Sequence, residues 1–156
     1  MSIKKVVVAG GGVLGSQIAF QAAFKGFDVT IWLRSDASIG RSQPKIDRLH
    51  NIYLAEFKDI KTKLGTKGAA FPRGHIDDPE HISAEKIAEL EAKTEAAYKN
   101  LKLTTDLTAA AKDADIVIES MAENPQAKKD FYDALSVVLE DKTIVATNSS
   151  SMVPSM

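Results

Sequence analysis

Six residues near the start of the chain, Gly10-Gly11-Gly12-Val13-Leu14-Gly15, have the types and spacing to cradle a diphosphate. In a G-x-G-x-x-G turn each glycine has a task. Gly10 lets the backbone turn sharply off a strand, Gly12 lets backbone amides approach an anion, and Gly15 lets helix and strand pack closely. Val13 and Leu14 open the following helix, whose free N–H groups and dipole favour negative charge. The hexapeptide alone also fits a tight turn with no ligand. It acquires meaning from a strand before it, a helix after it and a second strand beyond.

The next informative place lies about 20 residues on, where an acidic side chain normally ends the second strand and binds the ribose hydroxyls of NAD. Here that place holds Leu33, followed by Arg34 and Ser35. A guanidinium can grip a 2′-phosphate through two hydrogen bonds and a hydroxyl can add a third, whereas a carboxylate would repel it. Arg34 and Ser35 therefore point to NADP(H) in preference to NAD(H). The plainer alternative is a solvated arginine at a strand end, with Asp36 taking the ribose hydroxyls.

The elements that position these residues follow from periodicity. Lys5-Val6-Val7-Val8-Ala9 is a continuous apolar run, as expected of a strand buried on both faces of a parallel sheet. Val13, Leu14, Ile18, Ala19, Ala22 and Ala23 recur at helical spacing up to Gly26, and Asp28 to Leu33 reads as the second strand. From Pro44 to Leu64 an amphipathic helix is predicted, residues 65–82 read as loop, and Ser83 caps a second helix that runs to Leu101. Leu101 to Thr104 is a short strand, and Asp106 starts an alanine-rich helix. Asp115 to Glu119 is a buried strand that ends on a carboxylate. Pro125 opens a helix reaching Leu139, and Thr143 to Ala146 is the fifth strand. The fold class is α/β: a Rossmann-type, doubly wound, mostly parallel sheet, with a helical hairpin inserted between strands 2 and 3.

Composition narrows the partners. The chain has 156 residues, 44% hydrophobic and 26% charged, with a formal net charge of −1. Nothing there favours a polyanion, so nucleic acid is not expected as a partner. There is no cysteine to form a disulfide or thiolate metal site. The glycine-interrupted N-terminal stretch is neither signal peptide nor membrane span, and the cytoplasm is the expected compartment. The sequence stops just past the fifth strand and a polar turn. It is expected to be one dinucleotide-binding domain, residues 1–156, from which a substrate and dimerisation domain is missing.

Three stretches then carry a resemblance. They are Val7 to Gly15, then Asp115-Ile116-Val117-Ile118-Glu119-Ser120-Met121-Ala122-Glu123-Asn124, and finally Ala146-Thr147-Asn148-Ser149-Ser150-Ser151. With the long hairpin, the chain resembles the N-terminal domain of the 3-hydroxyacyl-CoA dehydrogenases. The second stretch is similar to that family's D-x-V-x-E and E-N motifs with a following lysine, and the third to its S-N-T-S-S turn. The resemblance implies that Glu123 and Lys128 contact the nicotinamide ribose side of the cofactor. It implies that Asn148 and Ser150 act as catalytic residues beside the nicotinamide and the substrate oxygen. Their placement after strands four and five, at the carboxyl edge of the sheet, agrees with that assignment. A hydroxyl beside a reacting carbonyl can stabilise developing negative charge. Asn148 to Ser150 also read as ordinary turn residues, and Glu123-Asn124 as a helix cap.

The implied reaction is hydride transfer between NAD(P) and the C3 hydroxyl of a 3-hydroxyacyl-CoA such as 3-hydroxybutyryl-CoA, in an enzyme expected to be a homodimer at full length. The family's His–Glu pair lies in a stretch past the serine turn, so this chain alone is expected to bind cofactor but catalyse poorly or not at all. His50, His75 and His81 fall in the hairpin, away from the strand ends, and are expected at the surface. Lys58, Lys61 and Lys63 are candidates for CoA phosphates, or simply a solvated helix face. Two alternatives stand beside this reading: a dehydrogenase of a small hydroxy acid or sugar acid, and a free-standing dinucleotide-binding or sensing module.

Overall fold

A computed structural model describes residues 2–150; Ser151 and the segment Met152 to Met156 lie outside the described residues. Five parallel strands form one sheet: β1 (Lys5–Ala9), β2 (Asp28–Trp32), β3 (Lys102–Thr104), β4 (Ile116–Glu119) and β5 (Ile144–Thr147). Their order across the sheet is β3-β2-β1-β4-β5. The chain therefore winds outward from β1 to β3, then returns to the other side of β1 to lay down β4 and β5. The two directions part between β1 and β4, the switch point at which sheets of this kind open a crevice at their carboxyl ends. Ala9 and Glu119, the last residues of β1 and β4, stand opposite each other there.

The apolar run of β1 divides by alternation between two cores. Val6 and Val8 face α1 (Val13–Phe24), α2 (Asp36–Thr62) and α3 (Ala84–Asn100), with Phe20, Phe24, Ile46, Phe57 and Ile87 in the same cluster. Val7 and Ala9 face α4 (Leu107–Ala111) and α5 (Pro125–Val138), with Val117, Phe131 and Leu135. Gly26, at φ +98°, ends α1: its N–H donates to the Ala23 carbonyl and that of Phe27 to Ala22, a closure that needs a left-handed residue. Among the described residues no helix is long and apolar enough to cross a membrane.

Two expectations are corrected. The first long helix begins at Asp36, not at Pro44, because Ser35 caps it: the Ser35 hydroxyl accepts the Ser38 N–H at 3.2 Å. Pro44 forfeits only the bond to the carbonyl four residues back. The helix runs through it because Ser42 and Ile46, on either side, are both buried. The second correction concerns the histidines. His50 Nε2 lies 3.0 Å from Glu95 and its ring stacks on Tyr98 at 4.1 Å between centroids. His75 Nδ1 lies 2.6 Å from Glu56, against the rings of Phe24 and Tyr53. Both are half-buried, His50 between the two helices of the hairpin and His75 against Phe24 of α1; His81 alone of the three is exposed.

Asp115, just before β4, ties the chain's beginning to the sheet. Its Oδ2 accepts the backbone N–H groups of Lys4 at 2.8 Å and Lys5 at 2.9 Å, and its Oδ1 lies 3.5 Å from Lys142 Nζ. Those bonds, that of Lys5 foremost, hold its carboxyl below the usual value of 3.8. A depressed folded value contributes stability that is present above the unfolded pKa and lost as pH falls through the folded one. Asp115→Asn should lower the urea midpoint at neutral pH, and the gap from wild type should close under strong acid. A gap that does not narrow as the pH is lowered would mean the carboxylate charge is not what stabilises.

Candidate functional site

The carboxyl ends of β1 and β4 frame a cleft of about 610 Å³. Its floor is the glycine turn, and its walls are the start of α1, the inner face of α2 and the loop from Ser120 to Asn124. Gly10 has φ +114°, and a β-carbon there would meet the Ser120 carbonyl oxygen at 2.4 Å; only glycine fits between the two strand ends. A β-carbon on Gly15 would meet the Gly10 carbonyl oxygen at 2.1 Å, so α1 packs directly on the turn. Gly12 differs: a β-carbon there meets nothing within 4 Å. Its missing side chain leaves open space on the cleft side of the turn.

Hydroxyls set the turn's orientation. The Gly11 carbonyl accepts from Ser42 Oγ of α2 at 2.8 Å and Ser16 Oγ of α1 at 3.1 Å, and both serines are buried. Because the peptide is trans, a carbonyl pinned this way holds the Gly12 N–H antiparallel to it. A second hollow of about 430 Å³ adjoins the cleft, with Trp32, Met121 and Phe131 among its walls. The site as a whole fits a dinucleotide: an anion cradle at a helix N-terminus, room beside Gly12 and an apolar slot next door.

The far end is a carboxylate network. Glu119, 1% exposed, accepts from the Met121 N–H at 2.7 Å and Thr147 Oγ1 at 2.6 Å, and lies 3.4 Å from Lys128 Nζ. Lys128 also reaches Glu123 Oε1 at 3.3 Å, and Ser149 Oγ donates to both Glu123 oxygens at 2.8 and 2.9 Å. Tyr132 points its hydroxyl at Glu119 from 3.5 Å; burial, then the nearby carboxylate, raises its pKa, so it stays a neutral donor. The ends of β4, β5 and α5 are thus bonded together.

Of the residues singled out from sequence, Gly10, Gly12, Val13, Leu14, Gly15, Arg34, Glu123, Asn148 and Ser150 line the cleft together. Lys128 does not. It is buried behind the wall, where it bridges Glu119 and Glu123. Ser35 does not line it either, since its hydroxyl caps α2 and bonds Ser38 Oγ at 2.9 Å. Asn124 is the cap of α5, accepting the Ala127 N–H, while Glu123 beside it faces the cleft. Lys61 and Lys63 of the hairpin are paired with Glu91 and Asp59. Sequence reasoning passed over Ser38, Arg41, Ser42 and Lys45, which line the cleft from α2, and Glu119 with Thr147 beneath it. The α2 residues have helical spacing, but Ser38, Arg41 and Ser42 precede Pro44, the residue that looks like a helix start in the sequence. For Glu119 the signal was there: a carboxylate closing an apolar strand must have partners.

A parallel sheet with a glycine turn at its switch point, and this cleft above it, defines a domain that binds a nicotinamide dinucleotide. The chain belongs to the 3-hydroxyacyl-CoA dehydrogenase family, whose NAD-binding domain model matches residues 5–156. It is 30% identical over 97% of its length to a probable 3-hydroxybutyryl-CoA dehydrogenase of Bacillus subtilis, spanning 42% of that protein. It is 27% identical over 96% of its length to the human mitochondrial hydroxyacyl-coenzyme A dehydrogenase, spanning 40% of it. Among solved structures, a diketoreductase described as acting on dicarbonyl compounds superposes with a TM-score of 0.72 at 34% identity. That likeness covers 99% of this chain and 44% of the other. The chain thus spans less than half the length of these relatives.

Proposed function

We propose that this chain is the cofactor-binding half of an NADP(H)-preferring oxidoreductase that moves a hydride between the nicotinamide and the C3 position of a 3-hydroxyacyl-CoA. The observation that carries the reading is the convergence of the glycine cradle with Glu123, Asn148 and Ser150 on one cleft, in a chain of this family. When bound, the dinucleotide supplies or accepts the hydride. The chain's own residues do the holding. The Gly12 amide and the start of α1 take the pyrophosphate. Glu123, fixed by Lys128 and Ser149, accepts from the ribose hydroxyls on the nicotinamide side. Asn148 and Ser150 donate to the substrate oxygen as it gains negative charge. Arg34 supports NADP(H), since it lines the cleft and has no carboxylate partner among the described residues.

A second reading keeps the fold and the hydride but takes a free dicarbonyl or hydroxy acid in place of the thioester. It is favoured by the 34% identity to the diketoreductase.

Parallel titrations with NADPH and NADH, followed by Trp32 and nicotinamide fluorescence, test the cofactor. Tighter NADPH binding that Arg34→Ala weakens supports the preference; equal binding removes it, and no binding of either removes the dinucleotide reading. Assay of the full-length protein on acetoacetyl-CoA against free acetoacetate then separates the two substrates.

A further inference from the structure

The helix α2 contributes more than a wall. Ser38, Arg41, Ser42 and Lys45 lie at i, i+3, i+4 and i+7 along it and line the cleft as one stripe. Ser42 fixes the depth of that stripe, because its hydroxyl bonds the Gly11 carbonyl at 2.8 Å and holds α2 against the pyrophosphate turn. The helix cannot draw away from the glycine turn without breaking this buried bond. The residues on either side of Ser42 on the stripe are therefore held where the ribose beside the pyrophosphate must lie.

Those residues are cations. Arg41 Nη2 donates to Ser38 Oγ at 2.8 Å, and Ser38 Oγ in turn shares a hydrogen bond with Ser35 Oγ at 2.9 Å. The hydroxyl chain orients the guanidinium and leaves its other N–H groups available. Lys45 Nζ rests on the Arg41 carbonyl at 2.8 Å. Arg34 enters the same cleft from the end of β2. Among the described residues none of these three cations has a carboxylate within ion-pair reach, and all three line the cleft. Asp36, the acidic residue of the first turn of α2, does not line the cleft. Three uncompensated positive charges around one concavity focus an anion there.

We infer that Arg41 and Lys45, with Arg34, form the subsite for the phosphate that distinguishes NADP(H) from NAD(H), with Arg41 as its principal specificity determinant. The inference rests on the dinucleotide reading and its NADP(H) preference, and it adds residues and geometry that Arg34 alone does not provide. Arg41 offers the planar fork that grips a phosphate through two hydrogen bonds, and Lys45 adds a point charge. Ser35 then acts at one remove, holding Ser38, which holds Arg41.

Adenosine ribose phosphates occur in two molecules relevant here, as the 2′-phosphate of NADP and the 3′-phosphate of coenzyme A. The test separates them. Dissociation constants for NADPH and NADH are measured for wild type, Arg41→Ala, Arg41→Lys and Lys45→Ala, with adenosine 2′,5′-bisphosphate and adenosine 3′,5′-bisphosphate as competitors. Arg41→Ala should weaken NADPH at least about tenfold and leave NADH unchanged, with Lys45→Ala smaller in the same direction and Arg41→Lys intermediate. The 2′,5′ competitor should displace NADPH from wild type and lose its effect in Arg41→Ala. Arg41 is exposed, so its variants should melt with wild type, and a melting scan checks that they do. A wild type that prefers NADPH but does not lose the preference in Arg41→Ala overturns this inference and spares the Arg34 reading. Stronger competition by the 3′,5′ isomer overturns it in favour of coenzyme A. Wild type binding both dinucleotides equally removes both together.

Discussion

A Gly12→Ala variant should melt within about 4 °C of the wild type and yet bind NADPH and NADH at least about 100-fold more weakly, a loss near 3 kcal/mol. The added methyl group meets no protein atom within 4 Å, and the residue's own backbone, at φ −69° and ψ −169°, suits any amino acid. As an N-cap position it should cost no more than about 1 kcal/mol of stability. What the methyl does enter is the open space beside the turn, where the pyrophosphate must approach. Gly15→Ala should behave in the opposite way. Its β-carbon would stand 2.1 Å from the Gly10 carbonyl oxygen and 3.0 Å from the carbonyl carbon, both backbone atoms. Helix α1 must then lift off β1, at a cost of about 3 kcal/mol or more in stability. Thermal melts and fluorescence titrations of the two variants, side by side, make the comparison. If Gly12→Ala binds both cofactors like wild type, the pyrophosphate does not lie over that glycine.

Lys128→Met should be destabilised by about 3 kcal/mol at neutral pH. The substitution keeps most of the side chain's volume and removes only the amine, which bridges Glu119 and Glu123. Glu119 is then left at 1% exposure with no cation beside it. The Met121 amide and the hydroxyls of Thr147 and Tyr132 still donate to it, which holds the cost to the lower end of the range for a broken buried pair. Because the two partners act as one unit, Glu119→Gln combined with Lys128→Met should recover a good part of the loss. Urea unfolding of wild type, both single variants and the double variant completes the cycle. Costs that simply add would show that Glu119 and Lys128 do not stabilise each other. Glu123, no longer held by the amine, should also orient less well, and NADPH affinity should fall with stability.

The strands and the doubly wound class were legible because parallel strands announce themselves as short, unbroken β-branched runs, as in Val6 to Val8 and Ile116 to Ile118. The glycine turn was legible for the same local reason. Reading failed where a long-range partner decides the outcome. Pro44 looked like a helix start because proline usually is one, but Ser35 had already capped the helix and burial of Ser42 and Ile46 carried it through. That error of eight residues hid the cationic stripe on α2. Lys128 sits at a spacing that suits direct contact with a cofactor, yet helix α5 turns it inward to a carboxylate nine positions earlier in the chain. His50 depended on how α2 lies against α3, and His75 on how the hairpin lies on α1, pairings between elements that no pattern within one helix specifies.

The grip on the Gly11 carbonyl also bears on how quickly the site can work. A peptide group held by hydroxyls from two different helices cannot flip, so the amide that meets the ligand is already aimed before the ligand arrives. Association then requires no rearrangement of the turn, and little backbone entropy is surrendered at the moment of contact. The ordering was completed during folding, when α1 and α2 came to rest on the same oxygen. Speed of capture and the assembly of the hairpin are for that reason a single property of this domain.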